Sequence, residues 1–386
     1  MELSGDQKEA LAGLLEWYRA PARSRFITLG GYAGTGKTTL IAVLRNELAK
    51  LNKAARVSFC SYTGKAAQNL KNKLKESGAL FVRDSVSTIH GLIYTPRENE
   101  EGRITGWDRK EELERDLVIV DEASMVDGLI WQDLLSYNIP IIAVGDHGQL
   151  PPIAGVFNLM QRPQLLLTEI HRQAAGNPII EVSRHARTTG LVPPERYGPG
   201  VVKYLKEDCD AQERSGELLE SWSPETLILC GYNTTRNRIN QFIRANRGFE
   251  TPEPSSGDRV ICLRNNHKKA VYNGMLGTIT HIAKYRSDWY QAEIQLDDRE
   301  KPYEGLIYGP QFGAKTGVNF TKDRQLAMTG DLFDFGYALT VHKAQGGQAR
   351  RVVMFEERFP KMDDDMWRRW LYTGVTRAEE ELYLFG

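Results

Sequence analysis

The sequence predicts an α/β protein built on buried parallel strands, and three mostly apolar runs carry that expectation. They are Phe26–Leu29, Leu117–Val120 and Pro140–Val144. Strands covered on both faces read as near-continuous apolar runs, without the alternation of a half-exposed sheet. Each run stops at glycine or carboxylate, at Gly30-Gly31, Asp121-Glu122 and Gly145-Asp146. Open α/β sheets place their ligands at that carboxyl end.

The first run feeds the most specific motif. Gly31, Gly36, Lys37 and Thr38 fit G-x-x-x-x-G-K-T between a strand and a helical pattern that starts at Lys37. Glycine lets backbone N–H groups curl around an anion with no Cβ in the way. Lys37 adds a point charge for β/γ-phosphates, Thr38 a hydroxyl for Mg²⁺, and the helix its positive end. The pattern implies a bound nucleoside triphosphate.

Composition sets broad bounds. A chain of 386 residues, 41% hydrophobic, suits two to three soluble domains with sizeable cores. Lys+Arg and Asp+Glu both total 50, so overall charge is silent about a polyanion partner. Local charge is not even. Residues 1–80 carry 13 basic and 6 acidic side chains, whereas 81–180 carry 8 and 15. Cys60, Cys209, Cys230 and Cys262 are widely spaced, which reads as reduced thiols in a cytoplasmic protein. No signal peptide or membrane-length apolar run is visible, so no membrane association is expected.

The remaining elements follow in order. Met1–Tyr18 reads as an amphipathic helix with Leu11, Leu14, Leu15 and Tyr18 on one face. Ser4 and Gln7 fit a capping box. Two readings stay open for Gln7: it bonds its own helix start, or it reads a nucleobase edge. Val57–Cys60 reads as a strand leading through Thr63, Gly64 and Lys65 into a helix. That set offers a hydroxyl, an approachable backbone and a cation to a phosphodiester, and it equally fits a solvated helix start. Lys65, Lys71, Lys73 and Lys75 fit a solvated face as well. Leu92–Trp107 alternates around a polar, glycine-containing tip and reads as a hairpin, either a surface ornament or a wedge.

The second run ends in Asp121, suited to hold Mg²⁺, and Glu122, suited to orient and deprotonate an attacking water. After the third run, Gln149 is placed to sense a γ-phosphate. Arg172 follows the apolar stretch Leu165–Leu167, and in its own context reads as a surface ion pair.

Taken in order, GGYAGTGKTT, VIVDEASM, VGDHGQLPP, YALTVHKAQG and LYTGVTRA resemble the superfamily 1 DNA helicases of subclass B, nearest the RecD and bacteriophage Dda group. The resemblance implies two RecA-like parallel-sheet cores, residues 1–185 and 186–386, with ATP and Mg²⁺ between them. It implies a β-hairpin insert at 91–108 in the first core and a small SH3-like all-β insert at about 255–335 in the second. Gly31, Gly34, Gly36, Lys37, Thr38 and Thr39 match the nucleotide-binding motif, and Gln7 matches the adenine reader. Arg172 and Arg377 match arginine fingers, beside Lys37, Glu122 and Gln149 as the remaining catalytic set. Thr63, Gly64, Lys65, Thr88, His90, Pro151, Thr340, His342 and Lys343 match DNA-contact positions. Gln345 and Gly346 lie in the motif that couples DNA grip to the nucleotide. The expected partners are single-stranded and forked duplex DNA, with 5′→3′ translocation by a monomer and the hairpin as strand-separating pin. The chain departs from the family at His171, commonly a larger aromatic, and at Gly231-Tyr232, where Tyr232 stacks on a base or packs.

In the second half, residues 186–223 are rich in Pro, Gly and charge and read as a connection between cores. Leu227–Cys230 then reads as the strand that opens the second core. From Gly257 to about Asp331 short strands alternate with turns. Within them Asn265, Asn266, His267, Lys268 and Lys269 form a polar loop, facing DNA or solvent. The core resumes at Gly336 and ends on Leu382–Phe385.

Overall fold

The computed structural model describes the chain except residues 1–2, 99–103, 153–156, 171–175, 267–268, 270, 298, 315–316 and 319–328. It divides into two units, Met1–Ala175 and Gly176–Gly386. The sequence expectation put the division at 185/186. The helix Pro178–Thr188 instead lies in the second unit. Its start is locally specified: the Asn177 side chain accepts from Ile179 N, and Pro178 occupies the first turn.

In the first unit the strands are β1 (Phe26–Gly31), β2 (Val57–Ser61), β3 (Ser85–Thr88), β4 (Tyr94–Glu98), β5 (Ile104–Arg109), β6 (Leu117–Asp121), β7 (Ile141–Gly145) and β8 (Leu165–Leu167). Six of them form one sheet in the order β3-β2-β6-β7-β1-β8, with every pairing parallel. Helix α1 (Gly5–Arg19) precedes β1, and helices α2 (Lys37–Leu51), α3 (Gly64–Glu76), α4 (Ile89–Ile93) and α5 (Gly128–Leu135) lie between successive strands. β4 and β5 form a separate antiparallel pair, where the sequence alternates.

The apolar runs explain why this sheet is central. Alternate strand residues point to opposite faces. Leu117 and Ile119 of β6 and Ile142 and Val144 of β7 enter one core, with Leu40 and Leu44 of α2. Val118, Val120, Ile141 and Ala143 enter another, with Trp131 of α5. With both faces buried, truncating Ile119 to alanine would cost about 2–5 kcal/mol.

Register sets the site. Ser61 of β2 pairs with Asp121 of β6 on one side and Thr88 of β3 on the other. Gly30 of β1 pairs with Gly145 of β7, and Gly31 with Leu167 of β8. The polar strand ends predicted to bear ligands therefore lie along one edge of one sheet.

The second unit adds α6 (Pro178–Thr188), β9 (Arg196–Gly198), β10 (Val201–Tyr204), α7 (Cys209–Glu220), β11 (Thr226–Cys230) and α8 (Asn233–Asn246). Strands β12 (Arg259–Cys262), β13 (Leu276–Arg286), β14 (Trp289–Leu296), β15 (Tyr303–Tyr308) and β16 (Phe333–Phe335) follow. The chain closes with β17 (Ala338–Thr340), β18 (Ala349–Phe355), the helix Asp364–Val375 and β19 (Ala378–Phe385). The main sheet runs β17-β11-β18-β19-β10-β9, parallel except for the edge pair β9/β10.

This corrects the reading of 186–223 as a connection. Val201–Tyr204 pairs along Leu382–Phe385, and Val201 and Val202 are buried. The stretch is integral to the sheet, and β10 rather than β11 is the first strand of its parallel run. Between β11 and β17, β12–β16 form a five-stranded antiparallel sheet in the order β15-β14-β13-β12-β16. Buried ion pairs tie it to α8: Arg236–Asp334 at 2.9 Å and Arg244–Asp258 at 2.8 Å, with Tyr337 Oη donating to Asp258 at 2.9 Å. Removing one partner of such a pair costs about 3–5 kcal/mol, because the other charge stays buried. Among the described residues no helix is long and apolar enough to cross a membrane.

Candidate functional site

The site begins where β1 turns into α2. Gly34 and Gly36 have φ of 85° and 77°, the left-handed region that favours glycine. A Cβ on Gly36 would lie 2.4 Å from Gln7 Nε2, and one on Gly31 would lie 2.6 Å from Thr35 Oγ1. Conformation thus favours glycine at Gly34, space at Gly31, and both at Gly36. Gly36 offers α2 no side-chain cap. The N–H groups of the first helical turn have no intrahelical partner, so this helix start suits an anion. Lys37 Nζ donates to the carbonyls of Gly31 at 2.7 Å and Tyr32 at 2.9 Å, which holds its charge on the loop. Thr38 and Thr39 lie in the same first turn of α2.

Two sheet positions away, Asp121 ends β6. Its carboxyl is pushed up to about 6, first by burial and then by the neighbouring Glu122 charge; Glu122 N–H, Lys37 and Lys73 oppose the shift. A buried carboxylate beside a second carboxylate fits a divalent cation, which reverses both penalties. Mg²⁺ is usually held by one or two protein oxygens together with phosphates, and Asp121 and Thr38 are the groups here that fit it. Glu122 has φ 53°, a left-handed conformation that costs a non-glycine residue about 1–3 kcal/mol. Its N–H donates to Asp121 Oδ1 at 3.0 Å, while its Oε2 is buried with no hydrogen-bond partner among the described residues. A carboxylate oxygen so placed keeps its capacity to accept a hydrogen bond.

After β7, Asp146 is fully buried and accepts from Gly148 N at 2.9 Å and from Gln149 Nε2 at 3.3 Å. The His147 ring lies 4.3 Å from that of Tyr32, so this turn packs on the phosphate loop.

Gln7 satisfies the first of its two readings and adds a contact of its own. Its Oε1 accepts from Ser4 N at 3.1 Å, completing the capping box, and its Nε2 donates to Thr35 O at 3.0 Å. Sequence reasoning missed its neighbour Asp6, which binds Thr168 N and Glu169 N. An acid in a first helical turn was the only signal available.

The DNA-contact candidates of this unit, Pro151 apart, cluster at the other end of the sheet edge. Thr63 and Thr88 are N-caps: Thr63 Oγ1 accepts from Ala66 N at 3.2 Å, and Thr88 Oγ1 accepts from Gly91 N at 3.0 Å. Capping uses a lone pair and leaves each hydroxyl proton available to donate. Gly64 and Lys65 open α3, behind Thr63. The His90 ring packs on Tyr94 at 4.5 Å and on Trp107 at 4.6 Å, at the base of the β4/β5 pair. Lys110 Nζ donates to the carbonyls of Gly91 and Leu92, fastening the same base. Pro151 follows the Asp146–Leu150 turn.

Arg172 and His171 lie outside the described residues, as do His267 and Lys268 of the polar loop. Asn266 Nδ2, by contrast, donates to the buried Asp331 at 2.8 Å, so that part of the loop is anchored inward.

In the second unit, Thr340 ends β17 and is buried, and His342 and Lys343 occupy the following turn. Burial lowers the pKa of His342, favouring its neutral form. Arg377 is buried. Its Nε donates to Thr373 O, Nη1 to Gly347 O and Nη2 to Thr376 Oγ1, at 3.0, 3.0 and 3.1 Å. The turn after Gln345 and Gly346 is thereby bonded to the arginine within one unit. Tyr232 packs edge-on against Phe359 at 4.7 Å.

Fold and loop define the class, an α/β phosphate-loop protein with a second parallel-sheet unit. Residues 17–155 match the AAA domain family, and residues 335–385 match the UvrD-like helicase C-terminal domain. The RecBCD enzyme subunit RecD of Buchnera aphidicola subsp. Schizaphis graminum is 33% identical over 432 residues, covering 94% of this chain and 70% of that protein. The ATP-dependent RecD2 DNA helicase of Deinococcus radiodurans is 27% identical over 404 residues, covering 95% of this chain and 47% of that protein. The chain thus spans about half the length of RecD2. A crystal structure of Pif1 helicase from Bacteroides in complex with ADP-AlF3 and ssDNA shares the fold, with TM-score 0.58 at 17% identity, covering 100% of this chain and 92% of that one. The chain belongs to the RecD family of helicases.

Proposed function

We propose that the chain is an ATP-dependent DNA helicase that moves 5′→3′ on single-stranded DNA, with Mg²⁺ bound between Thr38, Asp121 and the phosphates. One observation carries the reading. A glycine-cradled, uncapped helix start, the buried Asp121 with the half-buried Glu122, and two capping threonines lie along one edge of one parallel sheet. Nucleotide chemistry and backbone contacts to a polyanion suit that edge. Lys37 and the α2 N-terminus hold phosphate charge, and Glu122 takes the proton of the attacking water. Gln149 senses the γ-phosphate, and Gln7 reads the adenine with what its capping bonds leave free. Arg172 and Arg377 neutralise the transition state.

Thr63, Gly64, Lys65, Thr88, His90 and Pro151 grip the strand from the first RecA-like core, and Thr340, His342 and Lys343 grip it from the second. β12–β16 is the SH3-like insert. The protein would work in the cytoplasm as a monomer. Hydrolysis measured in parallel with no nucleic acid, single-stranded DNA, duplex DNA and RNA tests this reading. Strong stimulation by single-stranded DNA is expected, and greater stimulation by RNA would reassign the substrate.

The β4/β5 pair is proposed as the pin that separates strands. Its base is fixed by His90, Tyr94, Trp107 and Lys110, and Arg97 pairs with Asp108 across its strands. Replacing residues 96–104 by a short Gly/Ser turn should spare DNA-stimulated hydrolysis and translocation and strongly impair fork unwinding. Full unwinding by that variant would remove the pin role.

A further inference from the structure

The first turn of α1 reaches two distant segments. Gln7 Nε2 donates to Thr35 O at 3.0 Å, inside the phosphate loop. One residue earlier, Asp6 Oδ2 accepts from Thr168 N and Glu169 N, each at 2.8 Å, 162 and 163 residues further along the chain. These two residues directly follow β8, and Arg172 comes three positions after Glu169. β8 lies beside β1, with Leu167 opposite Gly31. The segments held by Asp6 and Gln7 therefore leave neighbouring strands.

An acid at this helix position has an ordinary role, favourable interaction with the helix dipole. That role does not require both carboxylate oxygens to be engaged. Here Oδ1 accepts from Ser4 Oγ at 2.5 Å while Oδ2 takes the two backbone amides. Partial burial pushes the Asp6 carboxyl up, but the hydrogen bonds from Ser4, Glu169 and Thr168 outweigh it and hold the group below the usual carboxylate range. The clasp is thus charged at neutral pH, and charge-assisted bonds to backbone N–H are the stronger kind.

We infer that Asp6 is a positioning residue, which together with Gln7 clips the backbone at Thr168–Glu169, just past β8, to the phosphate loop. The inference rests on the proposed ATP hydrolysis. Its consequence is kinetic. A small displacement of a group that acts on the transferring phosphoryl lowers turnover while nucleotide binding through the loop persists.

The test uses the full chain as wild type, Asp6→Ala and Asp6→Asn. It measures kcat and KM for ATP with saturating single-stranded DNA, affinity for a fluorescent ADP, and amide hydrogen exchange at Thr168 and Glu169. Asp6→Ala should lower kcat about tenfold or more, with KM and ADP affinity held within about twofold. Exchange at the two amides should accelerate. Asp6→Asn keeps an acceptor oxygen and should recover part of both effects. Faster exchange with unchanged kcat would overturn the positioning role. Parallel loss of kcat, ADP affinity and folding would make Asp6 a fold determinant and overturn it too. A wild-type chain that does not hydrolyse ATP would remove the proposed function and this inference together, a result distinct from an active wild type with an indifferent Asp6→Ala.

Discussion

Two of the chain's strand–turn–helix junctions, each at the carboxyl edge of its own parallel sheet, differ in one respect that decides their chemistry. At β1–α2 the turn is glycine-rich, the helix start has no side-chain cap, and Lys37 sits on the loop. At β11–α8 the same place is filled from within. Glu357 Oε2 accepts from Gly231 N at 2.8 Å and Tyr232 N at 2.9 Å, and its Oε1 accepts from Thr235 Oγ1. A Cβ on Gly231 would meet the Glu357 Cβ at 2.8 Å, so the carboxylate side chain is packed tightly over the turn. Both junctions present N–H groups to negative charge, as helix starts do. Only the first leaves that position to a ligand. The departure of Gly231-Tyr232 from the usual family turn acquires a physical reason: the glycine admits Glu357.

The largest expected effect tests the first junction. Lys37→Ala should reduce DNA-stimulated ATP hydrolysis to background while the chain stays folded, since the loop loses its cation at the β/γ-phosphates. Near-normal turnover would show that the two junctions do not differ in the way described.

Arg377 asks whether the second unit contributes to hydrolysis despite its filled turn. Arg377→Ala should cut DNA-stimulated turnover by about 10³-fold, the scale of an arginine finger, and leave single-stranded DNA binding largely intact. Lysine should rescue poorly, because a point charge cannot reproduce a planar fork. The observed bonds to Thr373 O and Gly347 O supply the competing outcome. If Arg377 only joins those two segments, the substitution will weaken folding and DNA binding along with turnover.

A smaller effect separates Glu122 from its neighbour. Glu122→Gln should keep nucleotide affinity and lower turnover by about 10²-fold, as loss of a general base does. Loss of affinity with unchanged rate would assign Glu122 to the metal site with Asp121.

These contrasts also show what the sequence can disclose. The phosphate loop was legible because each residue is dictated locally, glycine by φ and space, lysine and threonine by charge and hydroxyl. The six strand ends were legible in part, because burial on both faces leaves runs such as Leu117–Val120. Residues 186–223 were not. β10 is four residues long, and its burial comes from pairing with β19, the last strand of the chain. No window around Val201 contains that information, whereas its glycines and prolines advertise a loop. Asp6 was invisible for a related reason: its partners are backbone N–H groups, which leave no residue type to recognise.

The smallest effect is the sharpest test of the comparison. If Glu357 is an internal anion at the β11–α8 junction, Glu357→Ala strands the N–H groups of Gly231 and Tyr232 and the Thr235 hydroxyl. Hydrogen bonds to a charged acceptor at a half-exposed position contribute modestly, so a loss of about 1–3 kcal/mol is expected in denaturant unfolding. Stability alone would not distinguish an anion site from ordinary packing; an added anion does. The vacated junction would resemble the β1–α2 junction, with a glycine beside an unfilled helix start. Sulfate or phosphate should then stabilise the variant more than the wild type, by an amount that chloride at equal ionic strength does not reproduce. General salt effects act on both proteins and cancel in that difference. Recovery with sulfate but not chloride would show that the two junctions share one anion-binding geometry and differ in who supplies the charge. Equal responses from wild type and variant would show that Glu357 merely packs, and that glycine and lysine at the first junction create a geometry the second never had.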